Sequence, residues 1–218
     1  MSTVLFPEDL ETRQRYKLLI QGIAPRPIAL VSTISPDGRL NLAPFSFFNG
    51  VGSDPMSLLF CPANDARGEE KDTLRNCKPE SEGGTGEFVV NVAVDSIIHR
   101  VVGCAEPLPY GQSEFEFAGL KQVASTVVTP PRVAASPLAF ECETLQVIRM
   151  NPGAAAGGNV VLGKVVCIHL EDGLSDENLH LDKERLDFVG RMGHYDYCRT
   201  RDRFSLKPGR PALDELKE

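Results

Sequence analysis

Short runs rich in β-branched and aromatic residues recur along this chain, punctuated by glycine and proline, while helical spacing is confined to brief stretches. Leu10, Leu18 and Leu19 among many charges predict an amphipathic helix over 8–20, with Gly22 as its stop. Ile28–Ile34 predicts a strand, and Ser35-Pro36-Asp37-Gly38 has the residues of a type I turn. Residues 40–48 then predict the return strand of a hairpin. Pro44 inside it cannot donate to a ladder and marks a sheet edge or a bulge. Further strands are predicted over 56–61, 88–93, 140–150 and 160–170, and short helices over 69–76 and 96–104. In the strand over 140–150, Phe140, Cys142 and Thr144 alternate against Glu141 and Glu143, and the stretch 153–158 is a flexible turn. Residues 106–137 hold several prolines and read as an irregular excursion. Strands outnumber helices, so the pattern predicts a mainly β fold: a barrel of mostly antiparallel strands with peripheral helices, in one domain over residues 1–218.

Composition sharpens this picture. A chain of 218 residues buries roughly 70% of its unfolded surface, enough for a core without disulfide or metal staples. A hydrophobic share of 42% excludes disorder as the main state. The 19 glycines and 16 prolines fit many turns. A net charge of −7 with no basic block argues against nucleic acid as a partner. No apolar run approaches membrane-helix length, and the N-terminus has no signal-peptide pattern, so a cytoplasmic protein is expected. The six cysteines form no CxxC pair and read as reduced thiols. His99, His169, His180 and His194 are scattered without HxxxH or HExxH spacing and with no evident carboxylate partner, so no metal site is expected. Neither GxSxG nor GxGxxG occurs, which removes the serine-hydrolase and dinucleotide-fold readings.

Four clusters are candidates for chemistry. In Ala24-Pro25-Arg26-Pro27, two prolines clamp the backbone around Arg26. It reads first as a rigid connector, with a pre-ordered anion-binding arginine as the alternative. In Asn41–Gly50, alternation sets Phe45 and Phe47 against Ser46 and Phe48, with Asn49 just after. Ordinary core with a turn at Asn49-Gly50 and a seat for a flat heteroaromatic ligand are both open there. Lys71-Asp72-Thr73 opens a short helix, either as a simple cap with a solvated lysine or as a phosphate site. The segment from Gly190 to Thr200 mixes Arg191, Tyr195, Tyr197 and Arg199 with small residues, as a surface tail or as part of an interface or pocket.

These stretches, in order, resemble the flavin reductase-like family with an FMN-binding split β-barrel, its flavoredoxin branch. The matching motifs are Tyr16-Lys-Leu-Leu, Pro25–Thr33, Asp37-Gly38, Asn41–Asn49, Ser53-Asp-Pro55, Lys71-Asp-Thr73, Glu87–Asn91, Phe140-Glu-Cys142, Val161–Val165 and Arg191 with Tyr197–Thr200. Two departures stand out: the link from Cys77 to Gly84 is long, and Met56 occupies a position where the family often has proline. The resemblance implies a homodimer with FMN in a groove near the subunit interface. It places Arg26, Lys71 and Thr73 at the phosphate, with Asp72 orienting Lys71 or a neighbouring amide. Ser46, Phe47 and Asn49 would line the ring or its polar edge, and Arg191 and Tyr197 the rim. The implied activity is that of an NAD(P)H:flavin oxidoreductase taking hydride from NADH or NADPH, with no catalytic side chain required. A monooxygenase or another electron acceptor is then an implied partner, and a non-enzymatic FMN electron carrier is the alternative.

Overall fold

The β-branched run Ala29-Leu-Val-Ser-Thr-Ile forms strand β1 (Ala29–Ile34), which is enclosed on both faces. A computed structural model describes residues 2–109 and 111–214 of the chain. β1 is followed by β2 (Leu40–Phe45), β3 (Phe48–Ser53), β4 (Met56–Phe60) and β5 (Glu87–Val92). After these come the two-residue pair β6 (Gln122–Val123) and β7 (Arg132–Val133), and the long hairpin β8 (Leu138–Arg149) with β9 (Asn159–Leu170). A last pair, β10 (Val189–Arg191) and β11 (Tyr197–Arg199), lies near the C-terminus. The helices are α1 (Thr12–Gly22), α2 (Asp72–Cys77), α3 (Ile98–Gly103), α4 (Glu114–Phe117), α5 (Lys183–Leu186) and α6 (Arg210–Asp214).

Seven strands form one antiparallel sheet in the order β2-β1-β5-β8-β9-β4-β3. The two edge strands, β2 and β3, are joined by Ser46 and Phe47 alone. The three Cα–Cα steps from Phe45 to Phe48 span no more than about 11 Å, so the sheet must curl until its edges come close. The ladder stays open between them, and this gap is the seam of the barrel. Pro44 lies on β2, an edge strand, as its missing donor requires.

Curling gives the sheet an inside and an outside. The inside holds Ala29, Val31, Leu58 and Val90 around the aromatic series Phe45, Phe60 and Phe88, with centroids 5.1 and 5.2 Å apart. Outside, Leu30, Leu42 and Val92 pack with Val101 of α3, Phe115 of α4 and Leu186 of α5. Gly163 on β9 is required by this packing, because a Cβ there would stand 2.3 Å from Cζ of Phe88.

Several elements differ from the expectation. The helix over 8–20 divides into a single 3-10 turn, Pro7–Asp9, and α1, because Glu11 is extended and its N–H donates to Gln14 Oε1 at 2.9 Å. The single strand expected over 40–48 is two strands with the seam between them. Phe45 and Phe48, assigned to opposite faces, therefore pack against the same core, and Asn49 lies within β3 rather than in a turn. The helix over 96–104 opens as a 3-10 turn, Asp95–Ile97, before α3. The long link after Cys77 is also ordered: Arg149 binds Glu70 at 2.6 Å and Glu82 at 2.5 Å, holding the 3-10 turn Glu80–Glu82 against β8.

The alternation over 140–150 holds, but the side carrying Glu141 is covered by the excursion and Glu141 has no exposed surface. Its carboxylate accepts backbone N–H groups of Thr126, Val127 and Val128 at 2.7, 2.6 and 2.9 Å. Three charge-assisted bonds thus fasten the excursion to the sheet.

Candidate functional site at the seam of the barrel

A cavity of about 230 Å³ opens where the seam meets α1, α2, α3 and the turn between β10 and β11. Its polar lining comes from Tyr16, Arg26, Ser46, Lys71, Arg191 and Tyr197, and its apolar lining includes Pro44, Phe45, Phe47, Val101 and Val102. Three cations therefore face one space, and among the described residues no aspartate or glutamate lines it. In a chain of net charge −7 this is a local reversal of sign, of the kind that suits a cavity to an anion.

Arg26 is 3% exposed. Its backbone exchanges hydrogen bonds of 2.9 and 2.8 Å with Arg191, which brings two guanidinium-bearing residues side by side. Its Nη1 donates to the carbonyls of Ile20 and, at 2.6 Å, Ile23, closing the C-terminal end of α1. Its Nε donates to Ser46 Oγ at 3.3 Å, and the guanidinium lies 5.7 Å from the Phe47 ring centre. Burial pulls its pKa below the ordinary arginine value; Tyr16 opposes this and Arg191 adds to it. Arg26 is thus built into the wall of the cavity rather than pointing to water as a simple connector would.

Arg191 donates to the Tyr197 hydroxyl and the His194 carbonyl, and to the Gly193 carbonyl at 3.2 Å, with its guanidinium 4.6 Å from the Tyr197 ring centre. Lys71 stands just before α2, exposed and with no ion-pair partner among the described residues. At the seam, the N–H groups of Ser46 and Phe47 find no acceptor among the described residues, while the Phe47 carbonyl accepts from Cys61. The Cys61 thiol is half-buried and burial pushes its pKa up, so it forms part of the wall as a neutral group.

Of the nine residues singled out in the sequence, Arg26, Ser46, Phe47, Lys71, Arg191 and Tyr197 meet at this cavity. The other three lie apart from its lining. Thr73 is 1% exposed and its hydroxyl accepts from Asn41 at 2.9 Å, in a polar network with Thr33 and Asn76. Asp72 accepts from Arg75 at 3.1 Å. Asn49 is exposed on β3 and its side chain accepts from the Gly50 N–H. Tyr16, Val101 and Val102 line the cavity without having been singled out for it. Tyr16 carried a signal, as a tyrosine in a motif of its own, whereas the α3 valines look like any helix core. Two histidines also have carboxylate partners that spacing did not reveal: His180 beside Asp176 and His169 beside Glu141.

Residues 22–190 match the flavin reductase like domain. Among solved structures, nitrilotriacetate monooxygenase component B from Bacillus cereus superposes with a TM-score of 0.86 at 29% identity, covering 94% of this chain and 99% of that one. The 2-nitrobenzoate 2-nitroreductase NbaA of Pseudomonas fluorescens gives 0.80 at 32% identity, covering 95% and 97%. A Shewanella frigidimarina protein described as a flavin reductase with a split barrel domain gives 0.77 at 22% identity, covering 93% and 95%. The open seam between β2 and β3 is the split of that fold.

Proposed function

The chain belongs to the flavin reductase-like family, and from that premise we propose that the seam cavity binds FMN and that the protein is an NAD(P)H-dependent flavin oxidoreductase. The observation that carries this reading is the wall itself: Arg26, Lys71 and Arg191, with no carboxylate among the described residues, beside the rings of Phe47 and Tyr197. A flat, anionic, partly apolar ligand satisfies all of it.

In this reading Lys71 and Arg26 neutralise the phosphate. The amides of Ser46 and Phe47, which find no acceptor among the described residues, meet the polar edge of the ring system with the Ser46 hydroxyl. Phe47 and Tyr197 flank the ring, and Arg191 fixes Tyr197 by donating to its hydroxyl. Asp72 and Thr73 support the site from outside the cavity: Asp72, at the start of α2, holds Arg75, and Thr73 anchors α2 through Asn41. When bound, the flavin supplies hydride acceptance from NADH or NADPH and onward delivery of electrons. The chain contributes orientation, a dry wall and positive potential; none of its residues has to gain or lose a proton. The component B relationship favours a monooxygenase as consumer of the reduced flavin.

We further propose a homodimer. α1 buries only Ile20, while Tyr16, Leu18 and Leu19 lie 48 to 55% exposed beside the cavity. In the tail, Arg199, Arg201 and Arg203 pair with Asp95, Asp187 and Glu184 of the same chain.

The test is to purify the protein, denature it and chromatograph the released cofactor, then mix the intact protein anaerobically with NADH or NADPH. FMN release and bleaching are expected. FMN without bleaching would leave a flavin electron carrier, and a colourless protein with no FMN affinity would overturn the reading.

A further inference from the structure

On the sheet surface beneath the excursion, away from the cavity, Glu141, Cys167 and His169 bring three different ligand types together. Glu141 on β8 lies opposite Cys167 on β9, and His169 follows two residues later on the same side of β9. Glu141 Oε1, Cys167 Sγ and His169 Nε2 all lie within 4.8 Å of one another, and Sγ is 3.5 Å from Nε2. Histidine spacing along the chain gave no ground for a metal site, but strand register supplies the convergence. None of the three residues lines the seam cavity.

A nucleophilic triad would need the two nitrogens of the imidazole to serve different partners. Here one nitrogen, Nε2, meets both the thiol and the carboxylate. That arrangement, three donors aimed at one point, suits a cation. Glu141 is wholly buried and already oriented by three backbone amides, the outer support that a metal-binding carboxylate needs. His169 is 19% exposed and Cys167 half-buried, which leaves a route for an ion and room for a solvent ligand.

We propose that Glu141, Cys167 and His169 form a binding site for a divalent transition metal of the zinc class. Thiolate, imidazole and carboxylate together select Zn²⁺ or Co²⁺ over Mg²⁺ or Ca²⁺. The exchange balances with one proton released. The Cys167 thiol loses its proton, and the imidazole moves its N–H from Nε2 to Nδ1. Glu141 Oε1 takes the metal in place of the His169 N–H while keeping the Thr126 amide. The bound ion would clamp β8, β9 and, through Glu141, the segment 126–128.

The experiment uses the full chain after an EDTA wash. Zn²⁺ uptake is counted by equilibrium dialysis and elemental analysis, and Co²⁺ is added for a difference spectrum. Cys167→Ser and His169→Gln remove ligands while keeping size and hydrogen bonding, and Cys198→Ser is the control thiol. The wild type and the control should take up one Zn²⁺ per chain at high affinity and show a thiolate-to-cobalt charge-transfer band. Each ligand variant should bind at least ~100-fold more weakly, beyond the 10–100-fold cost of outer-shell losses, and Cys167→Ser should lose the band. Equal uptake by the ligand variants, or a wild type without the cobalt band, would overturn the site. The wild-type spectrum decides alone if a variant fails to fold.

Discussion

Lys71 and Arg26 face the same cavity but are tied to the fold in opposite ways, so removing each should produce different losses. Lys71 is exposed and has no ion-pair partner among the described residues. Lys71→Ala therefore removes a charge-assisted contact to the ligand and little else. Such a contact contributes about 1.5–3 kcal/mol, so the FMN Kd should rise roughly 10- to 150-fold. The melting temperature of the ligand-free protein should hardly move, since an exposed substitution costs less than about 0.5 kcal/mol. Arg26 is 3% exposed and holds the carbonyls of Ile20 and Ile23 and the Ser46 hydroxyl. Arg26→Ala strips those acceptors as well as the cavity charge, for about 2–4 kcal/mol of stability. At 2–4 °C per kcal/mol for a chain of this size, that is a fall of roughly 4–16 °C without ligand. Arg26→Lys should keep part of the affinity and little of the stability, because an ammonium cannot span the same acceptors as the guanidinium fork. Quenching of flavin fluorescence reads the affinity, and far-ultraviolet circular dichroism of the apoprotein reads the melt. Unchanged FMN affinity in Lys71→Ala, or an unchanged apoprotein melt in Arg26→Ala, would refute the division of labour.

Three further outcomes follow from single observations. Gly163→Ala puts a Cβ 2.3 Å from Phe88, which is fully buried; overpacking should cost about 1–3 kcal/mol, measured by urea denaturation. Burial raises the pKa of Glu114 above its ordinary value near 4.5, outweighing its bond from the Leu42 N–H at 2.9 Å; the folded state then holds this proton longer than the unfolded one, so wild-type stability falls as pH rises from about 4.5 through the raised value. Glu114→Gln should match the wild type below that window and be the more stable at neutral pH, and a variant less stable at pH 7 than at pH 4 relative to wild type would contradict the sign. Leu18→Asp with Leu19→Asp should convert the proposed dimer to monomer in sedimentation, and an unchanged sedimentation coefficient would remove α1 from the interface.

Local signals located most elements because each needs only its own residues: β1 from its β-branched run, the turn at Ser35–Gly38 from its proline and glycine, and α2 from Lys71-Asp-Thr73. Failures came where a distant segment decides the outcome. Nothing between Leu40 and Phe48 announces that the strand breaks at Ser46, because the break exists only once β2 and β3 occupy opposite edges of a curled sheet. Glu141 alternates like a solvent-facing residue, and its burial depends on amides 15 residues away at Thr126 and beyond. The candidate site divides in the same way. Side chains that project from the seam or its flanks, such as Phe47 and Arg26, were readable as unusual in composition. Thr73 and Asp72 look equivalent to Lys71 in a triplet, and only the orientation of α2 separates the residue facing the cavity from the two that serve the helix.

The position of the cavity has a physical reason that does not depend on any relative. Inside a closed ladder every strand N–H and C=O is spent on a neighbour, so a barrel wall has no backbone donors to offer a ligand. An open edge has them but invites pairing with another chain. The seam resolves both demands. Pro44 blunts β2, the two-residue span brings β3 round beside it, and at Ser46 and Phe47 the chain belongs to neither ladder. Ser46 and Phe47 line the cavity together with the apolar Phe45, Val101 and Val102 and the three cations supplied by elements outside the sheet. A ligand that is apolar on its faces, polar along one edge and anionic at one end matches that sequence of surfaces.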